Sequence, residues 1–191
     1  MLAFARARCA RVSAVHVLTL PGWLGSGAQH WQTRWERLHG DQRVEQHDWV
    51  TPQRGDWIAR LEDVVLQQAA PVVLAAHSLG CQLIAAWAAV SRSTARVRGA
   101  LLVAPPDLMR DDIAPALQRW RPPALAPLPF GATVVASQND PFCAFERSAE
   151  LAQCWRAALV SAGPRGHLNA ESGLGDWPEG RALLHTFMDT H

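Results

Sequence analysis

The sequence is notable first for what it lacks. It has no tyrosine, no C-x-x-C pair among its four cysteines, and almost no excess of either charge. With 18 cationic and 17 acidic side chains the formal net charge is +1, so nothing electrostatic draws it to nucleic acid or to an anionic membrane surface. No apolar run approaches the roughly 20 residues that span a bilayer. Cys9, Cys81, Cys143 and Cys154 carry neither zinc-ligand spacing nor paired histidines, which argues against structural zinc. A chain of 191 residues can bury a full core without a disulfide framework. No internal repeat is visible. With tyrosine absent, nine tryptophans carry most of the aromatic packing.

Residues 1–14 are small and basic and contain no acid, but Arg6, Arg8 and Arg11 interrupt any apolar stretch that a secretory signal would need. They read as a disordered extension before a single domain over 15–191, and a cytoplasmic location is the default expectation.

From Val15 onward, short apolar runs alternate with amphipathic segments. Val15–Leu20, Val72–Ala76, Ala100–Ala104 and Thr133–Ala136 read as strands buried on both faces. Arg43–Asp48 and Ala157–Ser161 are weaker candidates that bring the sheet to about six strands. Helical spacing places Trp31, Trp35 and Leu38 on one face, then Trp57, Leu61, Val64 and Val65 on another. Leu79–Val90 and Ala182–Met188 supply further helices. Such alternation predicts an α/β fold, a parallel sheet with helices on both faces, whose functional loops gather at the carboxyl ends of the strands. The segment 121–131 holds four of the thirteen prolines. It reads as a surface excursion and a candidate lid.

The most informative stretch runs from Val72 to Gly80. A buried strand enters Ala76-His77-Ser78-Leu79-Gly80, and an Ala-rich helix follows at once. That is the setting of a nucleophile elbow, where a tight turn lifts the serine hydroxyl out of the sheet and requires small neighbours two residues away on either side. Ala76 stands where glycine is commoner. The Leu79 N–H then lies at a helix amino end, suited to stabilising an oxyanion.

A serine hydroxyl needs a base, and in this arrangement the chain order is serine, acid, histidine. Of the later histidines, His185 falls in a helical pattern and His191 ends the chain, both reading as solvated. His167 sits in the glycine-rich loop after the last strand candidate. For the acid, Asp140 in Asn139-Asp140-Pro141 is preferred because its strand neighbours the one leading to His167; Asp107, one strand earlier, is the alternative. Asp176 follows His167 and fits the order poorly. His77 reads as a packing or hydrogen-bonding neighbour of the site. The loop Leu20-Pro21-Gly22-Trp23-Leu24-Gly25 is glycine-rich enough for close backbone approach, with the Trp23 N–H as a second oxyanion donor. Gly22, His30 and Phe142 are candidate substrate contacts, His30 being equally able to cap a helix, and an acyl pocket beside Trp23 and Phe142 is expected.

These residues also carry a resemblance. Leu20-Pro21-Gly22-Trp23, His30-Trp31-Gln32, Trp35-Glu36, Asp48-Trp49, Pro52, Trp57, the Ala76–Gly80 string, Ser137–Phe142 and above all the stretch from Gly166 to Gly180 resemble the small serine hydrolases that include human retinoblastoma-binding protein 9 and its bacterial relatives. The resemblance implies a minimal α/β-hydrolase fold with little or no cap, no cofactor or metal, and a triad at Ser78, Asp140 and His167. It implies a small-molecule acyl substrate and esterase-like activity. A peptidase or acyltransferase could use the same triad, and a binding module could keep the fold without the chemistry.

Overall fold

The computed structural model describes residues 15–189, so the expectations about residues 1–14, Cys9 and His191 lie outside the described residues. Six strands form one parallel sheet: β1 His16–Leu20, β2 Gln42–Arg43, β3 Val72–His77, β4 Val97–Val103, β5 Gly131–Ala136 and β6 Ala158–Ser161, in the spatial order β2-β1-β3-β4-β5-β6. Apart from His77 and Arg98 the two central strands β3 and β4 are built of aliphatic residues and glycine, because helices cover both their faces and no alternation with polar residues is needed.

Alternation along each strand sorts the core into two layers. Leu18, Leu74, Leu102 and Val134 point to one face, which α2 Arg54–Gln67, α3 Leu79–Ala88 and α4 Phe145–Trp155 cover through Trp57, Leu61, Leu83, Trp87, Leu151 and Trp155. Val17, Val73, Leu101 and Val135 point to the other, covered by α1 Trp31–His39 and α5 Pro178–His185 through Trp31, Trp35 and Leu184. The helix spacing noted in the sequence accounts for both layers, with one correction. Leu38, in the last turn of α1 before the left-handed cap at Gly40, is 56% exposed.

Two further expectations change. The second strand is not Arg43–Asp48: only Gln42 and Arg43 pair with β1, after which Val44 drops into the core and the chain leaves the sheet. Arg43 is held there by Glu36, Thr33 and the Ser26 carbonyl. The last helix begins four residues earlier than its apolar pattern, at Pro178, since proline is tolerated at the first helical position.

The tryptophans do more than fill space. Seven of the nine donate their indole N–H to a backbone carbonyl or a carboxylate, as in Trp57 to Asp48 O, Trp120 to Pro52 O, Trp155 to Ala124 O and Trp87 to Glu62. Most of these rings thus also pin a connecting segment, while Trp87 ties α3 to Glu62 of α2. Cys81, Cys143 and Cys154 are unpaired thiols. No helix among the described residues is long and apolar enough to cross a membrane.

Candidate active site

β3 delivers Ser78 directly into α3. Ser78 has φ 51° and ψ −122°, a strained conformation for a residue with a side chain, and its N–H is held by the Val103 carbonyl at 2.9 Å. The turn is possible because its neighbours are small. A Cβ on Gly80 would lie 2.2 Å from the Leu20 carbonyl oxygen, so no other residue fits. Ala76, by contrast, is accommodated fully buried within β3. Cys81, one turn on, gives its S–H to Val103 O, and burial pushes its thiol well up, leaving it a poor competing nucleophile.

Three side chains distant in sequence meet at this turn. His167 Nε2 lies 2.9 Å from Ser78 Oγ, and His167 Nδ1 lies 2.9 Å and 3.0 Å from the two Asp140 oxygens. The side chains of His167 and Asp140 are 10% and 2% exposed. Asp140 closes its own turn by accepting from the Phe142 N–H at 2.9 Å. Asp107 is not beside His167: its carboxylate accepts from the Met109 N–H and faces Arg147 at 3.4 Å. Asp176 pairs with Arg34 on the surface.

The loop carrying His167 is fixed at consecutive residues. Asn139 Oδ1 accepts the Gly166 N–H at 2.7 Å, His77 Nε2 donates to the His167 carbonyl at 2.8 Å, and Trp31 donates to the Leu168 carbonyl at 3.0 Å. The His77 bond requires its proton on Nε2, because a carbonyl only accepts. Complete burial and the neighbouring His30 and His167 hold His77 well below the usual histidine range, so it stays a neutral donor. The rings of His30, His77 and His167 follow edge to face, with centroids 4.6 Å and 4.8 Å apart.

The β1–α1 loop closes the other side. Gly22 packs so tightly on the elbow that a Cβ there would fall 2.7 Å from Ser78 Cβ and 3.2 Å from the Leu79 nitrogen. The Trp23 peptide therefore follows directly beside the start of α3. His30 caps α1, its Nδ1 accepting the Gln32 N–H, and it also borders the cavity. Burial and then Arg43 lower its pKa to about 3.

A cavity of about 440 Å³ opens at Ser78, within the range of small-ligand sites. Trp23, Gly25, His30, His77, Phe142 and His167 border it, as expected from sequence for most of them. Its remaining wall was not foreseen: Pro106, Ile113, Ala114 and Leu117, with Asp107, Arg110 and Asp112 at the margin, all from the segment after β4. The one sequence signal was the Pro105-Pro106 break at a strand's carboxyl end, where functional loops gather. The segment 121–131 does not border the cavity. Instead Leu128 and Ala124 bond to Trp155 on the far flank, which removes it as a lid.

The parallel sheet, its strand order and the serine elbow define an α/β-hydrolase fold. The profile of the family described as "Serine hydrolase" matches residues 17–186, and the chain belongs to that family. It is similar to the crystal structure of a YdeN-like hydrolase from Pectobacterium atrosepticum, with 31% identity over 92% of this chain and 91% of that one and a TM-score of 0.80. The ydeN gene product of Bacillus subtilis shares the fold at 21% identity and TM-score 0.71, covering 92% and 100% of the two chains. A thermophilic esterase from Thermogutta terrifontis does so at 17% identity and TM-score 0.64, covering 91% and 90%. Among curated proteins, none matches.

Proposed function

We propose that this serine hydrolase cleaves a small ester or related acyl bond through a covalent acyl-enzyme, with Ser78 as nucleophile, His167 as base and Asp140 as its orienting acid. The observation that carries the reading is the single imidazole bridging Ser78 Oγ and the nearly buried Asp140 carboxylate. Asp140 holds the His167 proton on Nδ1, which leaves the Nε2 lone pair for the serine proton. Ser78 Oγ attacks the substrate carbonyl as its proton passes to Nε2. The developing oxyanion takes hydrogen bonds from the Leu79 and Trp23 N–H groups, which the contact of Gly22 with the elbow supports. On collapse the bond to the leaving group breaks, and that group receives the proton from Nε2. Water, deprotonated by the same nitrogen, then attacks the acyl carbon and frees Ser78.

The cavity's composition supports a small, largely apolar acyl substrate, with Gly22, His30 and Phe142 among its contacts. The long motif from Gly166 to Gly180 supports grouping the chain, within its family, with the hydrolases related to retinoblastoma-binding protein 9. A fluorophosphonate probe tests the reading. Wild-type protein should label, and Ser78→Ala and His167→Ala should not. A folded wild type that resists labelling overturns the reading. Hydroxylamine or an amino acid added as competing acceptor would expose transferase chemistry.

A further inference from the structure

Leu24 stands in a conformation that leucine avoids. Its φ is +67°, and Gly25 follows at +76°, so the chain makes two successive left-handed residues. Glycine or asparagine suits such a position, whereas a branched, bulky side chain there is a strained outlier. The backbone is held by Gly25 N–H to Gly22 O at 3.1 Å and Leu24 N–H to Trp49 O at 3.0 Å. Nothing about the side chain repays the strain in stability, since Leu24 is 61% exposed. What it does touch is the catalytic cavity. Phe142 has a similar place: 51% exposed, bordering the same cavity, its ring 4.6 Å from that of His167. The loops bearing the two residues leave β1 and β5, which lie on opposite sides of β3 in the sheet.

We infer that Leu24 and Phe142 are specificity-determining jaws that grip an apolar chain of the substrate where it leaves the cavity beside Ser78. The inference rests on the hydrolase reading above. It names the substrate class as esters whose acyl chain extends several carbons beyond acetyl. The inner wall of Pro106, Ile113, Ala114 and Leu117 is apolar as such a chain requires. The marginal charges do not invite an anion: Arg110 is paired with Asp112, and Asp107 faces Arg147. Strain retained at an exposed residue of a binding site is the signature of a side chain kept for function.

The test is Leu24→Gly, compared with wild type on p-nitrophenyl acetate and p-nitrophenyl octanoate, with fluorophosphonate labelling and thermal unfolding measured alongside. Glycine relieves the left-handed strain, so Tm should rise or hold; the readout is the octanoate-to-acetate ratio of kcat/KM, in which any effect on the adjacent Trp23 peptide common to both esters cancels. Wild type should prefer octanoate in kcat/KM, and the variant should lose about 5-fold to 10-fold of that preference, the worth of a partly buried aliphatic contact. Leu24→Met, which keeps an apolar chain at the same place, should retain most of it. An octanoate-to-acetate ratio that is the same in wild type and Leu24→Gly overturns the inference, as does a labelled wild type with no chain-length preference. A wild type that does not label at all overturns the hydrolase reading itself.

Discussion

The two faces of the sheet use the same residue for different ends. Against α2, α3 and α4, Trp57, Trp120 and Trp155 fill the larger core layer, and their indole N–H groups tie down Asp48, Pro52 and Ala124, none of which borders the cavity. Against α1 and α5, Trp31 and Trp35 are equally buried, but their N–H groups reach Leu168 and Asp176 in the loop that carries His167. One face holds the sheet together; the other also holds the site. A buried aromatic can thus be judged by where its polar end lands, since its apolar body does the same work on either side.

The largest effect should come from the site alone. Asp140→Asn leaves the shape of the site intact but lets His167 adopt the wrong tautomer. Steady-state turnover of an activated ester should fall about 10⁴-fold in kcat, with urea unfolding little changed. The next effect should fall on the other face: Trp155→Ala empties a fully buried site and should cost about 3 to 5 kcal/mol in unfolding free energy. Activity per folded molecule, titrated with fluorophosphonate, should remain at the wild-type value.

Acid should separate the faces as well. His30 and His77 both lie on the α1 side and are neutral when folded, their pKa values lowered chiefly by burial, that of His30 to about 3. In the unfolded chain each titrates near 6.5. The unfolded state therefore binds more protons as pH falls below that value. The stability these residues contribute is complete above about pH 7 and drains away toward the folded pKa, by up to about 1.4 kcal/mol per pH unit for each histidine. His30→Asn retains a helix cap and should lower the slope of unfolding free energy between pH 6 and pH 4 by about one proton; an unchanged slope would remove His30 from this account.

The smallest and sharpest comparison pairs Trp31→Phe with Trp57→Phe. Each keeps a large ring and deletes one indole hydrogen bond, at a cost of about 1 to 3 kcal/mol. Only Trp31→Phe removes one of the three bonds that hold the backbone of residues 166–168, so on the proposed mechanism only it should lower kcat, by about tenfold, through displacement of His167. Equal kcat values in the two variants would show that the tethers are structural on both faces.

Much of this was legible along the chain. The Val72–Ala76 run followed by Ser78-x-Gly80 announces strand, elbow and helix, because only a glycine can face the Leu20 carbonyl at that distance. The order of serine, acid and histidine leaves Asp140 and Asp107 open, and the adjacency of the Asp140 strand to the one leading to His167 favours Asp140, whose carboxylate, like Ser78 Oγ, lies within 3.0 Å of the His167 ring. Other features have no periodic signal. A two-residue edge strand such as Gln42–Arg43 is made by pairing, not by pattern. Leu38 obeys helical spacing yet is exposed in the last turn of α1, which spacing alone does not reveal. The wall at 106–117 is irregular backbone leading into a short 3-10 helix at Pro115–Trp120, held by side-chain contacts: Arg110 to the Pro141 carbonyl, Arg121 to the carbonyls of Leu108 and Arg110. Such contacts join residues 11 to 31 positions apart, beyond the reach of a local pattern.

The contacts of α1 also set a timetable for synthesis. Trp31, Arg34 and Trp35 find their partners at Leu168 and Asp176, and Arg181 of α5 returns to Asp41, all about 140 residues away in sequence. Elongation at about 5 to 20 residues per second leaves Trp35 without its partner for roughly 7 to 28 s. The sheet and its α2–α4 side can be largely assembled while this helix still waits, its tryptophans exposed to any chaperone or to another nascent chain. Ser78, Asp140 and His167 come together only after that wait, so a ribosome-bound chain stalled before residue 167 should carry most of its sheet and, on the proposed mechanism, no esterase activity.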